Sequence, residues 1–192
     1  MTLTERLRSL FGQTLNSMGR LLAKLGIKPD MVTLLGVIGS CIGAYFIQQG
    51  NLQNGAWIVL ASGLLDALDG ALARESGNLR PFGALLDSVA DRVSEIAIML
   101  GLMLYFLDRR DETGCLLVLL ALSGSLLVSY VRARSQSLGS DPKVGILTRV
   151  ERCLVIFFSL VFAKPLIGLG VLTVLTFATI LQRIFFAWKE LH

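Results

Sequence analysis

Four aspartates lie within two long apolar segments of this sequence. They follow the pattern Asp66-x-x-Asp69-Gly70-x-x-Ala73-Arg74, then eight residues, then Gly83-x-x-x-Asp87-x-x-x-Asp91. A carboxylate near the centre of a membrane-spanning helix costs roughly 2.5 to 3.5 kcal/mol, and such residues usually mark a functional site. We therefore expect a cationic partner for these acids.

The spacing predicts two pairs of carboxylates on two helix faces. Asp66 and Asp69 are three residues apart, and Asp87 and Asp91 are four apart, so each pair projects from one side of its helix. Two carboxylates from each of two facing helices form an oxygen cage that suits Mg²⁺ or Mn²⁺, and we expect two ions about 4 Å apart. The pattern thus indicates a divalent metal site.

Small residues and an arginine flank the aspartates. Gly70, Ala73 and Gly83 leave room for the close approach of a ligand. Arg74 adds a fixed positive charge beside the carboxylates. A metal, open space and an arginine together indicate a bound phosphate or pyrophosphate.

Two non-enzymatic interpretations of the aspartates stay open at this point. In a structural scaffold they form ion pairs with Arg74, Arg80 and Arg92, which predicts that no divalent ion binds. In a cation transporter or channel they line an ion pathway, which predicts flux and gives Arg74 and Gly83 no role.

Composition places the chain in a membrane. Of its 192 residues 54% are hydrophobic and 17% charged, and the mean hydropathy is +0.68, too apolar for a soluble domain of this size. Cys41, Cys115 and Cys153 are too far apart to indicate a disulfide framework or a zinc site. His192 is the only histidine, which argues against histidine-based catalysis or metal binding.

The hydrophobic pattern predicts an all-α integral membrane fold, with six transmembrane helices preceded by an amphipathic interfacial helix. Residues 3–25 repeat leucines at helical spacing beside basic residues, which favours a helix in the headgroup layer over one packed on the bundle. Six apolar stretches follow, at 31–49, 54–73, 82–107, 115–133, 150–163 and 166–187, and most approach the roughly 20 residues of a span. We predict a single domain over 1–192, made of the helix at 1–28 and a six-helix bundle at 29–192.

Basic residues predict the orientation in the cell (inner) membrane. One side carries Arg6, Arg8, Arg20, Lys24, Lys28, Arg74, Arg80, Arg132, Arg134, Lys143, Arg149, Arg152, Arg183 and Lys189, and the other carries Arg109, Arg110 and Lys164. The positive-inside rule therefore puts both termini and the aspartates in the cytoplasm. This topology explains the net charge of +4, together with attraction to anionic membrane lipids, so the charge is no evidence for nucleic-acid binding.

The aspartate pattern resembles the signature of the CDP-alcohol phosphotransferase family of integral membrane enzymes, and the resemblance covers residues 27–190. It implies transfer of a phosphatidyl-type group from CDP-diacylglycerol or a related CDP-lipid to an acceptor hydroxyl, with release of CMP. It also implies a homodimer and a requirement for Mg²⁺ or Mn²⁺.

Site residues follow from the same resemblance. Asp66, Asp69, Asp87 and Asp91 would bind metal, with Asp91 also the catalytic base. The CDP pocket would contain Asp30, Thr33, Asp69, Gly70, Ala73, Arg74 and Gly83. Asp30 and Thr33 belong to Pro29-Asp30-Met31-Val32-Thr33, which resembles a family element at the start of the first span, although the same two residues could form an ordinary helix cap.

Arginines near the ends of the fourth and fifth spans indicate a phosphorylated polyol acceptor, because guanidinium forks suit a phosphate monoester. The segments are Ser129-Tyr130-Val131-Arg132-Ala133-Arg134 and Arg149-Val150-Glu151-Arg152. They resemble the branch that uses inositol 1-phosphate, which implies acceptor-phosphate contacts by Ser129, Arg132, Arg134 and Arg152. The rival is a glycerol-3-phosphate enzyme, whose glycine-, lysine- and threonine-rich loop is not matched by 137–148, with its single lysine, Lys143.

Overall fold

The computed structural model describes residues 3–76, 80–141, 145 and 148–191, with side chains from Gly12 onward. Within these residues the chain forms seven α-helices and no strand: α1 Leu3–Lys24, α2 Pro29–Gln48, α3 Leu52–Glu75, α4 Pro81–Asp108, α5 Glu112–Ser137, α6 Arg149–Val161 and α7 Pro165–Leu191. Each predicted segment corresponds to one helix, which confirms the all-α prediction. Lys143 and the side chains of Arg6 and Arg8 lie outside the described residues.

Within the described part of the chain, four helices are long and apolar enough to cross a membrane. They are α2, α3, α5 and α7. Any stretch of 18 residues within α4 includes three charged residues, Asp91, Arg92 and Glu95. By composition, α4 is therefore too charged to be counted with these four. α6 has 13 residues and extends about 20 Å, less than the roughly 30 Å hydrocarbon core. The chain is an integral membrane protein.

The N-terminal compact unit, Met1–Gly101, is built around α3. Both α1 and α2 pack against α3. A tight turn joins α2 to α3: Gly50 has a φ of 81°, and its amide donates to the Ile47 carbonyl at 2.9 Å. This left-handed glycine ends α2 and reverses the chain. The turn therefore makes α2 and α3 antiparallel neighbours.

Helix α1 contacts α3 through an apolar cluster near the C-terminal end of α3. Val32, Leu68 and Leu72 are buried, and Leu15 and Leu22 pack against them. This contact agrees with the alternative in which the stripe of α1 packs on the bundle. Other apolar side chains remain exposed, namely Met18 and Leu21 of α1 and Leu25 just after it.

The C-terminal compact unit, Leu102–His192, is organised around α7, which packs against α5 and α6. α5 begins at a cap in which the Asp111 carboxylate accepts from the Gly114 amide at 2.9 Å. α6 begins at another, where the Glu151 carboxylate accepts from the Thr148 amide. Because Glu151 fixes the first turn of α6, it also fixes the backbone of Arg152.

Candidate functional site

Three of the predicted metal ligands converge in the N-terminal unit. Asp66 and Asp69 lie in the last three turns of α3, and Asp87 lies in the second turn of α4. One carboxylate oxygen from each lies within 4.8 Å of the others. Asp69 is buried, at 5% exposure, and the other two are partly buried. We call these three residues the aspartate cluster.

Thr33 of α2 contacts the aspartate cluster. Its hydroxyl lies within hydrogen-bond distance of Asp69 Oδ2 and 3.2 Å from the carbonyl oxygen of Pro29. Because the hydroxyl has one proton, it donates to one of these acceptors at a time. Donation to Asp69 holds one carboxylate oxygen in place and links α2 to the metal-binding face of α3.

Asp91 lies one helical turn beyond Asp87 on α4. Its Oδ2 atom is 3.5 Å from Nη1 of Arg92, and the Asp91 side chain is 10% exposed. The predicted fourth ligand and base is thus held beside a cation. To this extent the ion-pair interpretation applies to Asp91.

Gly70 and Arg74, two of the residues predicted to bind CDP, lie side by side on α3. A Cβ atom on Gly70 would lie 3.5 Å from Nη1 of Arg74, so the guanidinium covers the space that the glycine leaves. Ala73 is partly buried and Arg74 is exposed. An exposed guanidinium above a residue without a side chain can reach a phosphate close to the helix backbone.

Asp30 forms an ion pair with Arg80, whose Nη2 donates to Asp30 Oδ2 at 2.9 Å. A Cβ on Gly83 would be 3.9 Å from Asp30 Oδ1, so these two predicted pocket residues are neighbours. The helix-cap alternative for Asp30 and Thr33 is wrong, because the N-cap of α2 is Lys28 and no side chain caps it. Asp30 instead lies in the first turn, where the helix dipole favours an acid.

A second group of charged residues lies in the C-terminal unit. Arg183 of α7 is 6% exposed, and its Nη1 donates to the Val128 carbonyl of α5 at 2.7 Å. Arg132 and Arg152 act electrostatically on Arg183. Arg152 is also buried, at 5% exposure, whereas Arg132 is exposed. We call Arg132, Arg152 and Arg183 the arginine cluster.

Ser129 and Arg134, the other predicted acceptor residues, make local contacts. The Ser129 hydroxyl donates to the Ser125 carbonyl at 3.2 Å. Arg134 is exposed, with Nη1 3.4 Å from the Ser137 hydroxyl. Arg134 is therefore bonded to its own helix end.

Arg183 was missed as a site residue from the sequence, where it served only to indicate orientation. Its spacing was informative, however: Thr176, Thr179 and Arg183 lie three and four residues apart, on one face of a mostly apolar helix. All three are buried. The helical spacing of two threonines and an arginine is the sequence signal that would have identified Arg183.

Gly145, in the α5–α6 connection, lies against the arginine cluster. It has a φ of 145°, and a Cβ there would be 2.7 Å from Thr179 Cγ2, 3.4 Å from Arg183 Nε and 3.5 Å from Arg183 Nη2. Both the backbone conformation and the space disfavour any side chain. Only glycine lets the backbone at position 145 approach Arg183 so closely.

Comparison with known proteins gives the family. Residues 27–188 match the family model of the CDP-alcohol phosphatidyltransferases. The archaetidylinositol phosphate synthase of Pyrococcus horikoshii is 39% identical over 191 residues, with 98% of each chain covered. A crystal structure of the phosphatidylinositol phosphate synthase of Mycobacterium tuberculosis with CDP-DAG bound has a TM-score of 0.85 and 32% identity, covering 92% of this chain and 94% of that one.

Another crystal structure of the Mycobacterium tuberculosis synthase, in complex with manganese and citrate, has a TM-score of 0.82 and 31% identity. It covers 91% of this chain and 88% of that one. The matches extend over nearly the whole sequence, and residues 27–188 of the family match span the positions of the aspartate pattern. This chain therefore belongs to the CDP-alcohol phosphatidyltransferase family.

Proposed function

We propose that this protein transfers the phosphatidyl group of CDP-DAG, or of a related CDP-linked lipid, to inositol 1-phosphate, giving a phosphatidylinositol phosphate and CMP. The observation that carries the proposal is the convergence of Asp66, Asp69 and Asp87 within 4.8 Å in a chain of this family. Relatives named as inositol phosphate lipid synthases support the choice of acceptor. Membership in a transferase family argues against the scaffold and transporter interpretations.

The aspartate cluster fits a divalent metal by its chemistry. All three side chains offer carboxylate oxygens, the ligands that Mg²⁺ and Mn²⁺ prefer. We assign two ions to the cluster together with Asp91, in keeping with the manganese complex of the Mycobacterium tuberculosis enzyme. Bound there, the ions would neutralise the diphosphate and the departing CMP.

We assign the CDP moiety to the part of the N-terminal unit that carries the aspartate pattern. The pocket comprises Asp30, Thr33, Asp69, Gly70, Ala73, Arg74 and Gly83. Gly70 and Gly83 permit close approach of the diphosphate, and Arg74 supplies a positive charge beside it. Thr33 keeps Asp69 oriented through its hydroxyl. Arg80 joins this set because it holds Asp30.

Asp91 is assigned as the general base. Its carboxylate accepts the proton of the acceptor hydroxyl, whose oxygen attacks the phosphorus that carries the diacylglycerol. The bond from that phosphorus to the CMP oxygen breaks, and CMP leaves with the electron pair. The neighbouring Arg92, with Nη1 3.5 Å from Asp91 Oδ2, offsets part of the negative charge at this position.

The acceptor phosphate is assigned to the arginine cluster, with Ser129 and Arg134 beside it. Two buried guanidiniums, Arg152 and Arg183, lie among like charges, and a phosphate monoester offsets this repulsion. Unphosphorylated inositol is uncharged and serine is a zwitterion, so neither would supply net negative charge. Arg183 is the residue that this assignment adds to the predicted set.

The remaining expectations complete the proposal. All six helices after α1 span the membrane within a single domain, although α6 is short. Helix α1 lies at the membrane surface with Met18 and Leu21 toward lipid. The protein lies in the cell (inner) membrane, and the positive-inside rule puts both termini and the active site on its cytoplasmic side. The enzyme is a homodimer, as the family resemblance implies.

The test is CMP release by the purified protein with CDP-DAG and Mg²⁺ or Mn²⁺. Inositol 1-phosphate, glycerol 3-phosphate, inositol and serine are compared side by side. We expect release with inositol 1-phosphate alone, and none after the metal is removed with a chelator. Release only with glycerol 3-phosphate would keep the metal-dependent chemistry and overturn the acceptor, whereas no release with any of the four would contradict the proposed reaction.

A further inference from the structure

Helix α1 touches the backbone of α3 at the turn that carries the candidate site. A Cβ on Gly19 would lie 3.0 Å from the carbonyl carbon of Ala71, 3.1 Å from the amide nitrogen of Leu72 and 3.2 Å from the Ala71 oxygen. These are backbone atoms, which cannot rotate away as the end of a flexible side chain can. A larger residue at position 19 must therefore move one of the two helices.

Contacts on both sides of Gly19 hold α1 at this position. Nε of Arg20 is 3.3 Å from Oε2 of Glu75. Leu15 and Leu22 pack on the buried cluster that includes Leu72. Since the exposed ion pair contributes little alone, the close glycine contact and the apolar packing fix α1 on α3.

The stretch of α3 that α1 touches also carries the aspartate cluster. Leu68, Leu72 and Glu75 lie three and four residues apart and form the side toward α1. Asp69 lies within the same turns, two residues before Ala71. A displacement of the Ala71 backbone therefore moves Asp69 as well, because a helical turn is rigid. Catalytic groups need positions accurate to about 0.5 Å.

We propose that Gly19 is a positioning residue for the metal and CDP site. By lacking a side chain, it lets α1 seat on the backbone of α3 and so sets where Asp66 and Asp69 lie relative to Asp87. The inference rests on the proposed function of the aspartate cluster. It assigns α1 a role in catalysis in addition to membrane contact.

The test compares Gly19→Leu with Gly12→Leu. Gly12 lies two turns earlier on the same helix, and a Cβ there would have no heavy atom of another described helix within 4 Å. Both changes give the same gain in helix propensity, so the difference isolates the contact with α3. Direct Mn²⁺ binding, followed by electron paramagnetic resonance, is measured beside steady-state CMP release.

For Gly19→Leu we expect an increase of about 10- to 100-fold in the Mn²⁺ dissociation constant, with a higher KM for CDP-DAG, since a 1 Å misplacement can cost about 100-fold. The KM for inositol 1-phosphate should stay within about twofold, and Gly12→Leu should match the wild type. If Gly19→Leu does not fold, Gly19→Ala replaces it, because alanine requires a smaller movement of the helices. The same measurements then apply, with smaller expected increases in the Mn²⁺ dissociation constant and in the KM for CDP-DAG.

Wild-type Mn²⁺ binding and CDP-DAG KM in a folded Gly19 variant would overturn the inference. So would equal losses in the Gly19 and Gly12 variants. Failure of the proposed function is distinct: the wild type would then release no CMP with any acceptor, while the binding measurement on the two variants could still be made.

Discussion

Replacing Arg183 with glutamine removes one buried charge from the arginine cluster while leaving the aspartate cluster intact. A hydrogen bond to a charged group contributes about 1.5 to 3 kcal/mol, and each 1.4 kcal/mol is a factor of ten. We therefore expect the KM for inositol 1-phosphate to rise about 10- to 150-fold. The KM for CDP-DAG should stay within about twofold.

The effect of this change on stability separates binding from folding. Arg183→Gln loses the bond to the Val128 carbonyl but also relieves repulsion from Arg132 and Arg152. Because these two effects oppose each other, we expect little change in melting temperature without an anion. Inositol 1-phosphate at 100 times its Kd should stabilise the wild type by about 2.7 kcal/mol, and at the same concentration it should stabilise the variant far less.

Steady-state CMP release and thermal unfolding in detergent, each with and without inositol 1-phosphate, measure these effects. Arg109→Gln is the matched control, because Arg109 is exposed, bonded to the Tyr105 carbonyl and outside both clusters; its KM for inositol 1-phosphate should change less than about threefold. Arg183→Lys keeps the charge without the fork and should fall between the wild type and Arg183→Gln. An unchanged acceptor KM in Arg183→Gln, or an equal rise for both substrates, would refute the reasoning.

Three other changes test the remaining assignments. Asp91→Asn should lower kcat by about 100- to 10,000-fold, as expected for loss of a general base, with folding checked by its melting temperature; near-normal turnover would exclude the base role. Gly145→Ala should raise the KM for inositol 1-phosphate, and adding Thr179→Ser, which removes the nearby methyl group, should partly restore it. The control is Gly139→Ala, because Gly139 also has a positive φ, 93°, but a Cβ there would have no close neighbours. This control should leave the KM for inositol 1-phosphate unchanged. Arg80→Gln removes an exposed ion pair and should raise the KM for CDP-DAG by no more than about fivefold; a larger effect would mean direct contact with the donor.

The helices were predictable because hydrophobic runs and turn residues are local signals. The break around Gly50, for example, requires only a residue that adopts positive φ. The pairing of Asp66 with Asp69 was equally local, since helical spacing fixes it. Which carboxylates meet across helices was not, because that depends on how α3 and α4 are placed. Asp91, beside Arg92, illustrates this limit.

Arg183 and Gly19 escaped the sequence analysis for a related reason. A basic residue near a helix end is already explained by membrane orientation, so Arg183 attracted no attention without knowledge of its burial. The apolar stripe of α1 fits lipid and α3 equally well. The contacts of α1 with α3, at the Ala71 backbone next to Gly19 and at the buried cluster that Leu15 and Leu22 join, distinguish the two surfaces.

The aspartate cluster and the arginine cluster have opposite charge, and in each of them like charges repel one another. Asp66 and Asp87 repel the Asp69 carboxylate, and Arg132 and Arg152 repel the Arg183 guanidinium. Such repulsion is strong in a low-dielectric setting, and it lowers the stability of the folded chain. On the proposed assignments, binding of an oppositely charged ligand would remove this repulsion and make each cluster selective for charge: divalent cations with the donor diphosphate at one, and a phosphate monoester at the other. An uncharged polyol would leave the repulsion among the arginines in place, which is why the phosphate of the acceptor, more than its ring, should determine whether it is used.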